Sequence, residues 1–471
     1  MTESTGATVM PWLTELDAID ISWNTTAFAH SHLGRLPREL LGSIVEFVPS
    51  RDLPVVARIG WVLRDVAEKR LYAVINIDYE RTAFLHWKDA TWSLHRTLTR
   101  RPDIARAVKE VQIQLFNKDV IVDTDTSTLF AGDRVLSSAA KVSLNQIFIG
   151  GQILLQHLTN VDRLCVALRQ STTQSWHPGL QKLTYLEFAG AEFHWVLAKL
   201  PCLQTLRLTR PCVILHDGAV NEVNTSLKTL SIMARLEILQ ENSLNYATFS
   251  PFLAHFPSLE ELEVRVYDLE VDSMRFAQTL GFQGTELNYT TLINRINVVA
   301  AHLIKLDIGV YDDDGVHDIE SNNFLLEVHP GPGFQQFKAL KNLVVPYQCL
   351  LGRTSSSVDT LPSPATILPA SLKSLQIDCP QIHLYDWLTR VETVQEQFPY
   401  LEKITVHCQG PHGDDYAEFC FVNHGHRATG IMFEMGIYMS VEGRVQDWKA
   451  EWNEYDLDIL RVIEWLDCLH A

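Results

Sequence analysis

The chain has 471 residues, of which 46% are apolar and 20% charged, and its formal net charge is −18. This composition is typical of globular proteins and excludes a largely disordered chain. Because the negative charge would repel polyanions, nucleic acid is not expected as a partner.

Residues 1–30 are weakly patterned and are predicted to be a mobile leader. They have neither the basic start nor the apolar core of a secretory signal, and no run in the sequence reaches the length of a membrane span. The eight cysteines are scattered singly, which favours free thiols in a reducing compartment. We therefore expect a cytoplasmic and/or nuclear protein without a membrane partner.

Three short amphipathic helices are predicted over residues 31–76. The first begins at Pro37, since a proline in the first helical turn loses no hydrogen bond. A turn at 49–52 follows, with Asp52 placed to cap the second helix, and the third helix runs over 61–72. Three helices in about forty residues make a small core, so we expect another protein to cover part of their apolar surface.

The apolar residues of these helices resemble the F-box motif. The resemblance rests on Leu36-Pro37, Leu40-Leu41, Ile44, Phe47-Val48, Asp52-Leu53, Arg58-Ile59 and Arg64. Gly60 and Leu63 depart from the common pattern, in which Cys and Trp are frequent. An ordinary helical hairpin at the start of a larger domain is the alternative interpretation.

In F-box proteins this motif binds the small Skp-type adaptor of an SCF (cullin–RING) ubiquitin ligase, and the rest of the chain recruits a target. The resemblance therefore implies an adaptor-binding face. It would consist of Leu36, Pro37, Leu40, Leu41, Ile44, Phe47, Leu53, Val56 and Ile59.

Residues 77–107 are predicted to be a helical connector that caps the following domain. A short extended piece at 73–77 precedes it, and apolar spacing indicates a helix over 80–101. Pro102 should end that helix, because the residue before a proline is steered away from helical angles.

A repeating pattern then runs almost to the end of the chain. Each unit has an apolar residue, two others, an apolar residue, one other and an apolar residue. The last two apolar positions are two residues apart, as on one face of a strand. The units begin at Val108, Val161, Leu183, Leu203, Leu227, Leu259, Leu303, Leu340, Leu372 and Leu401.

This pattern is similar to the leucine-rich repeat, whose period is about 20–29 residues. From Val161 the leading residues advance by 22, 20 and 24 residues, whereas later steps reach 44. Pro211 and Pro380 replace the usual Asn or Cys, so the ladder of side-chain bonds in the turns cannot be uniform. We expect an α/β fold in which residues 108–410 form an irregular leucine-rich-repeat solenoid. A conventional α/β domain with strands joined by helices is the alternative.

Residues 411–471 are predicted to close the array with a strand and a helical cap. Residues 428–440 resemble an edge strand, and 445–469 form a Trp-rich amphipathic pattern. Solenoids need such a cap because their last repeat would otherwise expose its apolar face. The helix would cover that face with Trp448, Trp452, Leu457, Leu460 and Trp465.

No motif supports a catalytic, metal or cofactor site. The acidic loop at 312–315 fails as a calcium loop, because alignment on Gly315 puts Val310 and Ser321 at its first and last ligand positions. The histidines and cysteines between 407 and 426 fit strand positions and an exposed loop better than four converging zinc ligands. No Gly-x-Ser-x-Gly is present, so no enzyme activity is expected.

The polar residues between the apolar ones would lie on the concave face of the array and bind a protein target. These residues are Glu187, Arg207, Ser231, Glu263, Asp307, Gln376 and Thr405. The expected function is therefore a substrate-recognition subunit of an SCF-type ligase. The alternative is a leucine-rich-repeat scaffold whose helices pack internally and never meet a ligase. A hydrolase or metal protein that uses the histidine and cysteine cluster is a weaker option.

Overall fold

A computed structural model describes residues 31–78, 87–114, 158–167, 180–190, 192–215, 223–235, 249–267, 289–311, 333–351, 361–378, 382–408, 435 and 437–443. The chain divides into two compact units, Met1–Leu259 and Glu260–Ala471. Both units combine parallel strands with helices, so the fold is mixed α/β as expected. The leader at 1–30, the acidic loop at 312–315 and the helix at 445–469 lie outside the described residues.

The first unit begins with three short helices, as predicted. They are α1 (Arg38–Glu46), α2 (Leu53–Ile59) and α3 (Trp61–Leu71), and 3-10 turns at Leu33–Arg35 and Ser50–Asp52 precede α1 and α2. Their common core contains the buried side chains of Leu41, Val45, Leu53, Leu63 and Ala67.

Asp52 precedes α2 as predicted, but within the described residues its side chain makes no capping hydrogen bond. A capping side chain accepts the N–H of the second or third helical residue. The second residue of α2 is Pro54, which has no N–H to donate. The Asp52 carboxylate instead lies 3.8 Å from Arg51.

The segment after α3 contains the first strand, β1 (Val74–Asp78), and then the helices α4 (Trp87–Arg100) and α5 (Pro102–Ala107). The extended piece predicted at 73–77 is therefore confirmed. The helix predicted over 80–101 ends before Pro102 as expected. Sequence analysis missed α5, which Pro102 begins, because a proline that ends one helix also fits the first turn of another.

The strands of the first unit lie side by side in chain order, and their pairs are parallel. After β1 come β2 (Glu110–Gln114), β3 (Arg163–Ala167), β4 (Tyr185–Ala189), β5 (Glu192–His194), β6 (Thr205–Leu215) and β7 (Thr229–Arg235). The short β5 leaves this order and pairs with the far end of β6. A 3-10 turn at Trp195–Lys199 and the helix α6 (Phe249–Ala254) complete the described part of this unit.

The second unit repeats this arrangement. Its strands are β8 (Glu261–Tyr267), β9 (Lys305–Tyr311), β10 (Asn342–Pro346), β11 (Ser374–Asp378), β12 (Lys403–Cys408) and β13 (Tyr438–Gly443), and their pairs are parallel in chain order. Between them lie α7 (Tyr289–Ile296), α8 (Tyr347–Leu351), α9 (Pro364–Ile367), α10 (Ile382–Thr389) and 3-10 turns at Asn297–Val299 and Glu392–Gln397. β13 overlaps the strand predicted at 428–440 at residues 438–440, and residues 428–434 lie outside the described residues.

The three apolar positions of the repeating pattern are buried in every repeat, which agrees with the predicted strands. Corresponding positions also align across the strands. Leu186 of β4 pairs with Leu206 of β6, and Leu343 of β10 pairs with Leu375 of β11. Because side chains alternate along a strand, the apolar rows form one side of the strands in each unit and polar residues form the other.

Neighbouring strands are joined by a recurring backbone arrangement. The carbonyl just before one strand accepts two consecutive N–H groups at the start of the next, at 2.7–3.1 Å. Its acceptors are Ala73, Lys109, Asp162, Thr184 and Gln204 in the first unit and Glu260, Ile304, Lys341 and Lys373 in the second. Backbone hydrogen bonds thus join neighbouring strands in a regular way, although the side-chain hydrogen bonds in the turns cannot be uniform.

Candidate interaction surfaces

Large apolar side chains are exposed on the three-helix segment. Leu40, Ile44 and Phe47 are 51%, 42% and 87% exposed; the first two lie on the outer side of α1, and Phe47 directly follows its last residue. Val55 and Ile59, one helical turn apart on α2, are also exposed. We call these five residues the helix face.

Two residues of the predicted adaptor-binding face are not available to a partner. Leu41 and Leu53 are only 1% exposed, because they belong to the segment's own core. Leu36 and Val56 are partly buried against the same core, whereas Pro37 is exposed. The prediction put Leu40, Leu41 and Ile44 of α1 on one face, but Leu41 belongs with Val45 to a stripe that packs inward.

Sequence analysis missed Val55. Its spacing to Ile59 is the four-residue step that puts two side chains on one side of a helix, so the signal was present. The wheel of α2 alone could not show whether Val55 or Val56 would face outward, because that depends on where α3 packs.

The second surface is the polar side of the strands in the first unit. The Arg163 guanidinium lies 4.0 Å from the centre of the Tyr185 ring and 3.3 Å from the Glu110 carboxylate. Tyr185 donates a 2.8 Å hydrogen bond to Glu187. Burial, and then the hydrogen bond to Glu187, raise the pKa of Tyr185. These side chains form a connected network of both charges.

Cys165 lies within this network but is not suited to nucleophilic chemistry. Burial is the main cause that raises the pKa of its thiol, and the neighbouring Glu187 raises it further. A nucleophilic cysteine needs the opposite shift, because the thiolate is the reactive form.

The polar side of the second unit contains a paired arginine. The two terminal nitrogens of Arg265 bind the two oxygens of Asp307 at 2.5 and 3.0 Å, and Glu263 lies 3.3 Å from the same guanidinium. Burial raises the pKa of Asp307. Burial alone would lower the pKa of Arg265, but its bonds to Asp307 raise it, so the guanidinium stays charged.

A second polar group lies on the adjoining strands. Asp378 accepts a 2.9 Å hydrogen bond from Gln376, and Nδ1 of His407 is 3.4 Å from the same carboxylate oxygen. His407 lies opposite the buried Val406 along the strand, as predicted. In the ranges that the structure describes, no three His, Cys, Asp or Glu side chains are grouped as metal ligands would be. The rest of the histidine and cysteine cluster, from His412 to His426, lies outside those ranges.

The residues predicted to bind a target differ in their accessibility. Glu187, Arg207, Glu263, Asp307 and Gln376 retain exposed or partly exposed side chains on the polar side of the strands. Ser231 and Thr405 are buried, so the structure corrects their assignment to a contact surface. Both are short residues aligned with longer ones, Ser231 with Arg207 and Thr405 with Gln376.

Comparison with known proteins does not identify a function for these surfaces. The sequence matches no protein-family model and no curated protein. Among the described helices, none has both the length and the apolar content to cross a membrane.

Proposed function

We propose that the chain is an F-box protein that serves as a substrate-recognition subunit of an SCF-type cullin–RING ubiquitin ligase. In this proposal the helix face binds the Skp-type adaptor. The strands form an irregular leucine-rich-repeat array whose polar side binds a protein target. The observation that carries the proposal is the exposure of Leu40, Ile44 and Phe47 on a helix whose other apolar stripe is already buried.

The physical reason is that α1 has more apolar surface than its own core uses. Burying one large apolar side chain contributes about 1.5–3 kcal/mol, so a groove that accepts these residues gains substantially from them. Helix-in-groove interfaces rely on a few such anchors at helical spacing. Phe47, the most exposed of the three, would be the largest anchor.

The repeat array is supported by the burial of its recurring apolar triplets and by parallel pairing in chain order. A receptor of this kind accelerates ubiquitin transfer by holding the target near the conjugating enzyme, with no catalytic group of its own. Glu187, Arg207, Glu263, Asp307 and Gln376 are the residues we propose for target contact.

The test is a pull-down with purified Skp-type adaptor. We expect the wild-type chain to retain the adaptor and the Leu40→Asp/Ile44→Asp variant to lose it by at least about tenfold, because each carboxylate would be desolvated in the groove. The unfolding temperature should change little, since both positions are exposed. The matched control is Val298→Asp, at a valine that is 51% exposed and distant in sequence, and it should bind as the wild type does.

Two results would contradict the proposal. One is a wild-type chain that does not bind the adaptor, and the other is undiminished binding by the double variant. Protein partners captured through the polar side of the strands in the absence of adaptor binding would favour the scaffold alternative.

A further inference from the structure

The helices and the first sheet are joined without a loose connection. Only Tyr72 and Ala73 separate the end of α3 from the start of β1. The Tyr72 N–H donates to Glu68 O at 2.9 Å, and the Ala73 carbonyl accepts the N–H groups of Lys109 and Glu110. Both junction residues are therefore hydrogen-bonded through their backbones, one to the helix and the other to the strands.

Glu68 on α3 makes a second connection through its side chain. This carboxylate is only 12% exposed. One of its oxygens accepts a 2.6 Å hydrogen bond from Arg64 on the same helix. Its other oxygen accepts a 3.1 Å hydrogen bond from Arg101, which is 33 residues later in the chain.

Arg101 lies between α4 and α5, directly before the segment that leads into β2. Asp103 holds the guanidinium through Nε and Nη2, at 3.1 and 2.8 Å, so the remaining nitrogen is directed at Glu68. The hydrogen bond to Asp103, more than any other interaction, raises the pKa of Arg101, which stays charged. A guanidinium fixed by two acids has little freedom to change partners.

The same helix also holds α1. Asp65, three residues before Glu68, pairs with Arg38 of α1 and with Lys69 at 3.1 Å. The two acids of α3 thus connect the helix that carries Leu40, Ile44 and Phe47 to the segment that enters the sheet.

We propose that Glu68 and Arg101 are positioning residues that fix the angle between the helix face and the polar side of the strands in the first unit. A partner on the helix face is then held at one orientation to anything bound along the strands. This inference goes beyond the proposed function and does not depend on which protein covers the helix face.

The test measures a distance distribution in the full chain. Spin labels carried by genetically encoded residues replace Glu46, at the end of α1, and Gln204, before β6, so that the native cysteines remain. Both positions are exposed. We expect one narrow distance distribution for the otherwise unaltered chain and a distribution about twofold broader for Arg101→Gln. Without the Glu68–Arg101 pair the helices and the strands would move relative to each other, as neighbouring domains do unless their interface prevents it.

Two further variants separate positioning from general stability. Arg106→Gln on α5 removes an exposed arginine whose side chain, among the described residues, bonds only to the Pro102 carbonyl, so it should leave the distribution narrow. Glu68→Gln should broaden it, and unfolding temperatures are measured for all variants. Equally narrow distributions for the folded Arg101→Gln and Glu68→Gln variants would overturn the proposal, as would a broad distribution in the parent chain. Loss of adaptor binding would leave this result unaffected.

Discussion

Gly309 on β9 shows how one residue without a side chain supports a charged pair. The Arg265 guanidinium passes so close to this glycine that a Cβ atom there would clash with it. Arg265 reaches Asp307 across the space that the missing side chain leaves. The pair is 42 residues apart in sequence, so no local pattern could have indicated it.

We therefore expect Gly309→Ala to lower the free energy of unfolding by about 1–3 kcal/mol, the cost of leaving partly buried charged groups with poorer hydrogen bonds. The measurement is urea denaturation. The matched control is Gly42→Ala on α1, where the added methyl group would have no described atom within 4 Å apart from its own chain neighbours and helix backbone. That change should stabilise the helix by up to about 1 kcal/mol. A Gly309→Ala variant as stable as the wild type would contradict this account.

The roles of buried polar residues also could not be predicted from the sequence. Sequence analysis assigned no role to Asn224, yet its side chain is buried and donates to the carbonyls of Ala198 and Leu200 at 2.8 and 3.2 Å. Its oxygen accepts the N–H groups of Ser226 and Leu227. The apolar triplets were predictable because burial repeats with a period, whereas Asn224 performs its role once.

Among the elements, strands were easier to predict than the segments that connect them. The apolar triplet that begins at Leu183 predicts the strand β4. A turn in which the Leu183 N–H donates to the Leu180 carbonyl precedes this strand. The connecting helices, including α5, have no common length or spacing. The split of α1 into an inner and an outer stripe likewise depends on α3, which a wheel of α1 does not contain.

The pair of Arg101 and Asp103, where α4 meets α5, should make the stability of the fold depend on pH in the acid range. Arg101 lowers the pKa of Asp103 below its ordinary value of 3.8. A group whose pKa is lower in the folded state stabilises the fold above the unfolded pKa, and this contribution is lost as the pH falls through the folded value. Asp103→Asn should therefore unfold at a lower temperature than the wild type near neutral pH, and the gap should shrink below about pH 4.

Thermal unfolding of both proteins across this pH range checks the expectation. Because the other carboxylates titrate in both chains, the difference between the two isolates Asp103. A gap that is constant with pH would mean that Asp103 acts through packing and not through its charge.

For the whole molecule, the repeating apolar pattern predicted an α/β class but not its division into two units. The periodic triplets give parallel strands in chain order, and the unequal spacing of the repeats agrees with connections of different length. The triplets do not show where the chain divides into its two units. The triplet that begins at Leu259, at the boundary, fits the pattern as well as any other triplet.

The net charge of −18 should also act on the molecule as a whole. Excess charge of one sign destabilises a compact state by self-repulsion. Salt screens this repulsion, and the screening length is about 10 Å at about 0.1 M. We expect the unfolding temperature to rise when sodium chloride is increased from about 0.01 M to about 0.2 M. A fall would show that attractive pairs such as Arg265–Asp307 outweigh the general repulsion.

The carbonyls that join neighbouring strands have a consequence for how such a protein can evolve. Since main-chain atoms make these joins, substitutions on the solvent side leave the joins in place, provided that the residue keeps its N–H. Lineages could exchange the outward-facing side chains of the strands freely, and so acquire new ligands, while the framework beneath stays unaltered.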